Sequence, residues 1–305
     1  APQDPSSTAM RPAGPIHPEP SAEFMAGVCQ TDVRVQRLKI RMRDGSRIAA
    51  RAYMGERTVC GLIWCHGGVF ARNSAATDSE LCKALARKGI GVVSSSFRDG
   101  PFFSHPQAVR DLEDVARHAR SELFAGLPIG VAGGSSGGYH ALILGVRPPD
   151  DEPFAFAAGL APVSDPARRA DYLCSCVHGR AAADGYSVHL GRGKAVLMYL
   201  LQISYFRSAR AMRAASTALA TPGKHCGVDG PTRTLLQIGT ADRNVPAQVT
   251  APVRAWVSQT TVLEGLGHLA AFGPPFEPWL PGFVSFVLEA AAALERGASA
   301  AQQAA

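Results

Sequence analysis

The chain has 305 residues, 46% apolar and 18% charged, which suits one large α/β domain, or a domain with an insertion, that can bury a core. Its net charge of +6 is scattered without any block of like charge, which argues against a nucleic-acid partner. Seven cysteines at irregular spacing argue against a disulfide scaffold at this length, and no apolar run reaches the roughly 18–20 residues of a membrane span.

Residues 1–30 are rich in Pro, Ser and Ala without an apolar period and read as a tail. They show no basic region followed by an apolar stretch, so a cytoplasmic location is expected. Val33 and Val35 alternate with polar residues, and Leu38, Ile40 and Met42 alternate in shifted phase, which predicts a strand with a bulge. Asp44-Gly45 marks a turn before a second strand from Arg47 to Tyr53. The run Val59 to Cys65 is almost wholly apolar, as in a strand covered on both faces. Thr77-Asp78-Ser79-Glu80 has the form of a capping box, and Gly89 can end the helix it starts.

Further strands are expected at Ile90–Ser96, Ile129–Ala132, Phe154–Ala161, Leu235–Ile238 and Thr261–Leu263, with helices at Pro106–Phe124, Ser136–Leu144, Ala247–Val257 and Gly282–Glu295. This alternation implies right-handed crossovers and a mostly parallel sheet. Residues 165–230 break the rhythm with helical sequence and the apolar patch Ala195–Phe206. They read as a helical cap inserted between two parts of a core, 31–164 and 231–297, with residues 298–305 as a second tail.

Four motifs carry chemistry. The first is Gly133-Gly134-Ser135-Ser136-Gly137-Gly138, where a strand bends into a helix. A serine on so sharp a turn needs neighbours without a Cβ, and the turn aims the next N–H, that of Ser136, at a reacting carbonyl. Both Ser135 and Ser136 fit the glycine spacing. Ser135 is preferred, because Gly133 then ends the strand and Gly137-Gly138 open the helix. No Lys follows the glycines, as it would in a phosphate-binding loop. The second motif, Trp64-Cys65-His66-Gly67-Gly68-Val69-Phe70, directly follows a buried strand. The third ends an apolar strand at Gly239-Thr240-Ala241-Asp242, and the fourth is Gly265-Leu266-Gly267-His268. The order Ser135, Asp242, His268 matches a nucleophile, acid and base triad. Glu264, and behind it Asp165, are the reserve acids.

Two of these motifs carry a family resemblance. The run Gly133 to Tyr139 is similar to the nucleophile elbows of hormone-sensitive-lipase-like esterases and of the prolyl-oligopeptidase family. The run His66 to Phe70 resembles the His-Gly-Gly-Gly loop of lipases and esterases. The resemblance covers roughly Arg47 to Glu295 and implies an α/β-hydrolase fold: a mostly parallel twisted sheet flanked by helices, with an N-terminal antiparallel hairpin and a helical cap. It further implies that the N–H groups of Gly67, Gly68 and Val69 form an oxyanion hole with that of Ser136. Val69 stands where the family has a third glycine, and its N–H serves provided φ is not positive.

The expected activity is hydrolysis of carboxylic esters with small to medium apolar groups, through an acyl-enzyme. Amide or peptide cleavage, acyl transfer and a non-catalytic ligand-binding role are the alternatives. Phe70, Phe102 and Tyr199, with Phe103 and Phe206, are candidates for the substrate pocket. The only partner expected is a small-molecule ester. The Cys174-Ser175-Cys176-Val177-His178 and His225-Cys226 groups lack a zinc spacing, so no metal or cofactor is expected. A single Cys174–Cys226 bridge is left open.

Overall fold

The computed structural model describes residues 32–71, 74–227 and 229–303, with side chains described as far as residue 297. The tail expected over residues 1–30 lies outside the described residues.

Eight strands form one sheet: β1 (Val33–Arg41), β2 (Arg47–Gly55), β3 (Cys60–Cys65), β4 (Ile90–Ser95), β5 (Ile129–Gly134), β6 (Phe156–Leu160), β7 (Arg233–Gly239) and β8 (Gln259–Leu263). Their order is β1-β2-β4-β3-β5-β6-β7-β8. Strand β2 runs antiparallel to both of its neighbours, and β3 to β8 are mutually parallel. The helices are α1 (Ser79–Ala86), α2 (Gln107–His118), α3 (Ser136–Val146), α4 (Pro166–Val177), α5 (Arg192–Phe206), α6 (Ala209–Ala220), α7 (Ala251–Arg254) and α8 (Leu280–Gln303).

The alternation of side chains along each strand feeds two cores. Ile63, Val93 and Val131 pack on one face with Leu112 and Val115 of α2 and Leu219 of α6. Leu62, Trp64, Val92 and Phe156 pack on the other with Leu81 and Leu85 of α1 and Phe286 of α8. Each such side chain contributes about 1.5–3 kcal/mol on burial, which is why β3 to β6 read as continuous apolar runs. A third, smaller cluster joins Tyr172 and Leu173 of α4 to Ala195 and Met198 of α5. The apolar patch of α5 is thus divided, since Tyr205 and Phe206 at its far end belong to the first core.

Ion pairs fix the hairpin end. Arg98 grips the buried Asp111 through Nε and Nη2 and reaches Asp44 in the turn through Nη1, at 2.7 Å.

Four details differ from expectation. Strand β1 pairs with β2 in unbroken register from Val33↔Gly55 to Arg41↔Arg47, without a bulge. It is an edge strand and largely exposed, so its valines need not share a face with Ile40. The expected capping box does not form: α1 starts at Ser79, and the Asp78 side chain makes no cap bond. The Asp78 carboxylate instead accepts from Trp64 Nε1 at 2.9 Å. The helix expected over Ala247–Val257 is a 3₁₀ turn followed by the short α7, where Pro252 leaves one N–H fewer for the ladder. Helix α8 continues to Gln303, into the segment whose composition suggests a tail; alanine, its main residue, is a strong helix former.

The described cysteines, Cys174 and Cys226 among them, are all unpaired. No group of residues suited to hold a metal ion occurs among the described residues. Likewise, no helix among them is long and apolar enough to cross a membrane.

Candidate active site

Each of the four motifs lies just beyond the carboxyl end of a strand: Gly67-Gly68 after β3, Ser135 after β5, Asp242 after β7 and His268 after β8. Ligand sites of open parallel sheets lie there. The pairing Cys65↔Gly133 sets the glycine loop against the serine turn. The pairing Gly239↔Leu263 brings the acid and histidine loops together, and Ala241 N–H donates across to Leu266 O at 3.1 Å.

The serine turn is strained and closely packed. Ser135 has φ 55° and ψ −122°, a conformation that costs a non-glycine residue about 1–3 kcal/mol. Its backbone is tied on both sides: its N–H donates to Leu160 O at 2.9 Å, and its carbonyl accepts from Val163 N–H at 3.1 Å. The glycines follow from contact. A Cβ on Gly133 would overlap the carbonyl oxygen of Cys65, and one on Gly137 would overlap Cys65 and His66 together. Helix α3 behind the turn is buried along its whole length.

Ser135 Oγ lies 2.9 Å from His268 Nε2, and His268 Nδ1 lies 2.7 Å from Asp242 Oδ2. The other oxygen of Asp242 accepts from the N–H groups of Asn244 and Val245, each at 2.8 Å. Asp242 is 2% exposed. Such an arrangement can hold a histidine tautomer and draw a proton from a hydroxyl. Ser136 Oγ makes no contact of this kind among the described residues. Glu264 accepts from Thr240 Oγ1 instead, and Asp165 caps α4 by accepting from Arg168 N–H.

The glycine loop is fastened by His66. Ser74 N–H donates to His66 Nε2 at 3.3 Å, which leaves the proton on Nδ1, 3.0 Å from Gly67 O. Burial pushes this imidazole below its ordinary range, so it is held neutral. The ring also stacks on Phe97, with centroids 4.4 Å apart. Among the described residues no backbone hydrogen bond engages the N–H of Gly68 or Val69, and Ser136, at the first position of α3, has no partner within its helix. Val69 does not keep to negative φ: it sits at 57°, with Phe70 at 60°. The left-handed conformation that glycine would accept freely is thus imposed on valine, whose side chain packs against the α4–α5 cluster.

A pocket of about 660 Å³ opens over Ser135 and His268, with walls from Gly67, Gly68, Val69, Leu197, Met198, Leu201, Leu269 and Phe272. Thr77, Asp78, Lys194 and Asn244 supply its polar part. The aromatic residues expected to line it do not. Phe70 is fully buried in the first core and stacks on Tyr205; the two successive positive φ angles turn its ring away from the serine. Phe102 is 88% exposed and Phe103 is also exposed, while Phe206 is buried. Tyr199 packs against the cores from the opposite side of α5. The residues that do line the pocket from α5 and from the loop after His268 carry no motif. The sequence indicates an apolar helix there but not which of its faces looks at the serine. Asn244, two residues beyond the acid, was likewise missed.

Comparisons with known proteins give the same fold. A family model described as alpha/beta hydrolase fold matches residues 62–245. A hyperthermophilic esterase from the archaeon Pyrobaculum calidifontis is similar in structure, with a TM-score of 0.66, 21% identity and 90% of each chain covered. A thermophilic carboxylesterase cloned from a metagenomic library gives 0.62 at 20% identity, covering 90% of this chain and 92% of that one. A bacterial heroin esterase gives 0.59 at 23%, covering 90% and 89%. A search of curated proteins found no match. With more than half of its length matched by the family model, the chain belongs to the α/β-hydrolase-fold family.

Proposed function

We propose that this chain is a serine hydrolase cleaving carboxylic esters with small to medium apolar acyl or alcohol groups, with Ser135, Asp242 and His268 as its triad. The observation that carries the reading is the unbroken hydrogen-bonded run from Ser135 Oγ through the His268 ring to Asp242 at the floor of an apolar pocket. The esterase names of the similar structures support the choice of ester over amide.

In this reading His268 Nε2 takes the proton of Ser135 as Oγ attacks the ester carbonyl. Asp242 holds Nδ1–H and stabilises the imidazolium. The N–H groups of Gly67, Gly68 and Ser136 receive the developing oxyanion, each such donor typically contributing about 2.7–4 kcal/mol; Val69, at positive φ, does not meet the condition set for it as a further donor. His268 then protonates the leaving alcohol, and a water activated by the same imidazole releases the acid. Residues 165–230 act as a cap, because Lys194, Leu197, Met198 and Leu201 of α5 close one side of the pocket. That wall suits an apolar chain of modest length.

Labelling with a fluorophosphonate probe followed by peptide mapping tests the assignment, together with turnover of p-nitrophenyl esters and aminoacyl anilides. The expected result is an adduct on Ser135 and activity on the esters. Turnover of anilides alone would replace esterase by amidase. A folded protein that takes no label would make the chain a ligand-binding member of the family.

A further inference from the structure

Arg169 of α4 is 1% exposed, and no carboxylate accepts from it among the described residues. Its Nε–H donates to the main-chain oxygen of Asn244 at 3.1 Å and its Nη2 to Asn244 Oδ1 at 2.7 Å. The remaining arm, Nη1, donates to Gln202 Oε1 of α5 at 2.7 Å, and the Gln202 amide donates on to Pro166 O at the head of α4. The guanidinium therefore holds one residue by both its main-chain and its side-chain oxygen. That residue, Asn244, supplies one of the two N–H groups that fix Asp242 Oδ1, the other being that of Val245.

Burying a cation without an ion-pair partner is costly. Burial pushes the guanidinium down to about 10, and the nearby Asp242 carboxylate works against that fall. A neutral side chain could fill the same space more cheaply, so the charge calls for a reason.

We propose that Arg169 is a positioning residue for the reaction at Ser135: its fork grips Asn244 by both oxygens so that Asp242 stays aligned on His268. The inference rests on the serine-hydrolase reading above. A planar guanidinium reaches both oxygens of Asn244 at once and still holds Gln202, which neither a compact ammonium nor an apolar side chain can do.

The test is kcat and KM for p-nitrophenyl acetate, with the rate of fluorophosphonate inactivation, for the full-length wild type, Arg169→Lys and Arg169→Met, with circular dichroism to confirm folding. Both variants are expected to lower kcat and the inactivation rate roughly tenfold or more, with KM within about threefold of wild type, since Arg169 does not line the pocket. Arg169→Lys keeps the charge but loses the fork and should not restore the rate. A wild-type kcat in Arg169→Lys, or a loss that falls on KM with kcat unchanged, overturns the proposal. Should Arg169→Met not fold, Arg169→Lys decides alone. A wild type that takes no label defeats the serine-hydrolase reading itself; a labelled wild type with unaltered variants defeats only this inference.

Discussion

Ser135 Oγ and His268 Nε2 meet at 2.9 Å although 133 positions separate them in the chain. The two partners are held very differently. The serine is locked between β5, β6 and a wholly buried helix. The histidine precedes a single 3₁₀ turn, Leu269–Ala271, and is kept in place by Asp242 and by the edge of the Phe272 ring, 5.4 Å away.

The difference between adjacent serines gives the most direct prediction. Ser135→Ala is expected to lower kcat by about 10⁴-fold or more, because Oγ is the atom on His268. Ser136→Ala should cost at most about tenfold, since its contribution is a backbone N–H that alanine keeps. Ester turnover of the two purified variants decides, and a larger loss in Ser136→Ala would shift the nucleophile by one residue.

Packing at the turn gives a prediction on stability. At Gly137 an added Cβ meets the backbone of Cys65 and His66, which cannot rotate away. Gly137→Ala should therefore destabilise by about 3 kcal/mol, a fall in Tm of roughly 5–10 °C. At Gly193 in α5 nothing lies within 4 Å of the added atom, so Gly193→Ala should stabilise by up to about 1 kcal/mol through helix propensity. Equal melting temperatures for the two variants would show that the turn yields where the contacts say it cannot.

Buried titrating groups set the pH range of the fold. Burial pushes His105 down to about 4 and lowers His66 and His140 as well; both ring nitrogens of His140 lack a hydrogen-bond partner among the described residues. These rings stay neutral in the fold while the unfolded chain takes up protons near the ordinary histidine value. Their contribution is present above about 6.5 and is lost as pH falls toward 4. Asp99 has the opposite effect. Burial raises its carboxyl to about 7, so the folded chain keeps a proton that the unfolded chain has already released. Its contribution is present below the ordinary Asp value and is lost as pH rises from there through 7. Asp99→Asn should accordingly raise Tm at pH 8 by more than at pH 5. The same change at both values would mean that Asp99 is as well solvated in the fold as outside it.

The parts of this molecule legible in the sequence are those where one physical constraint acts alone. Strands β3 to β6 are covered on both faces and announce themselves as apolar runs. Gly133 and Gly137 are dictated by backbone contact, and the loops bearing Asp242 and His268 follow strands that end cleanly. What stayed hidden depends on orientation in space. Phe70 sits one residue beyond a glycine loop and looks like a pocket wall, yet two positive φ angles bury it in the core. Thr77 to Glu80 has the spacing of a capping box, yet the helix starts a residue later and the Asp78 carboxylate accepts from the Trp64 indole fourteen residues earlier. Arg169 carries no motif in the helical stretch that holds it, and its partners, Asn244 from a distant loop and Gln202 of α5, come together only in the fold.

The wall formed by α5 yields the prediction on substrate size. Leu197, Met198 and Leu201 occupy positions i, i+1 and i+4 and share one face of the helix, opposite Phe272 and Leu269 across the pocket. On the proposed ester-hydrolase reading, an acyl chain attached to the reacting carbonyl runs between these two walls. Leu201→Trp adds volume at a position that is only partly buried and that lines the cavity as well as packing against the α4–α5 cluster. It should leave kcat/KM for p-nitrophenyl acetate within about threefold of wild type, since the two-carbon acyl group stays close to Ser135. Each excluded methylene is worth about 1–3 kcal/mol of discrimination, so kcat/KM for p-nitrophenyl octanoate should fall at least roughly tenfold. Leu201→Ala should act in reverse and raise the octanoate-to-acetate ratio. Equal changes on both esters in both variants would mean that the acyl chain leaves the serine by another route, and that α5 bounds the alcohol side instead.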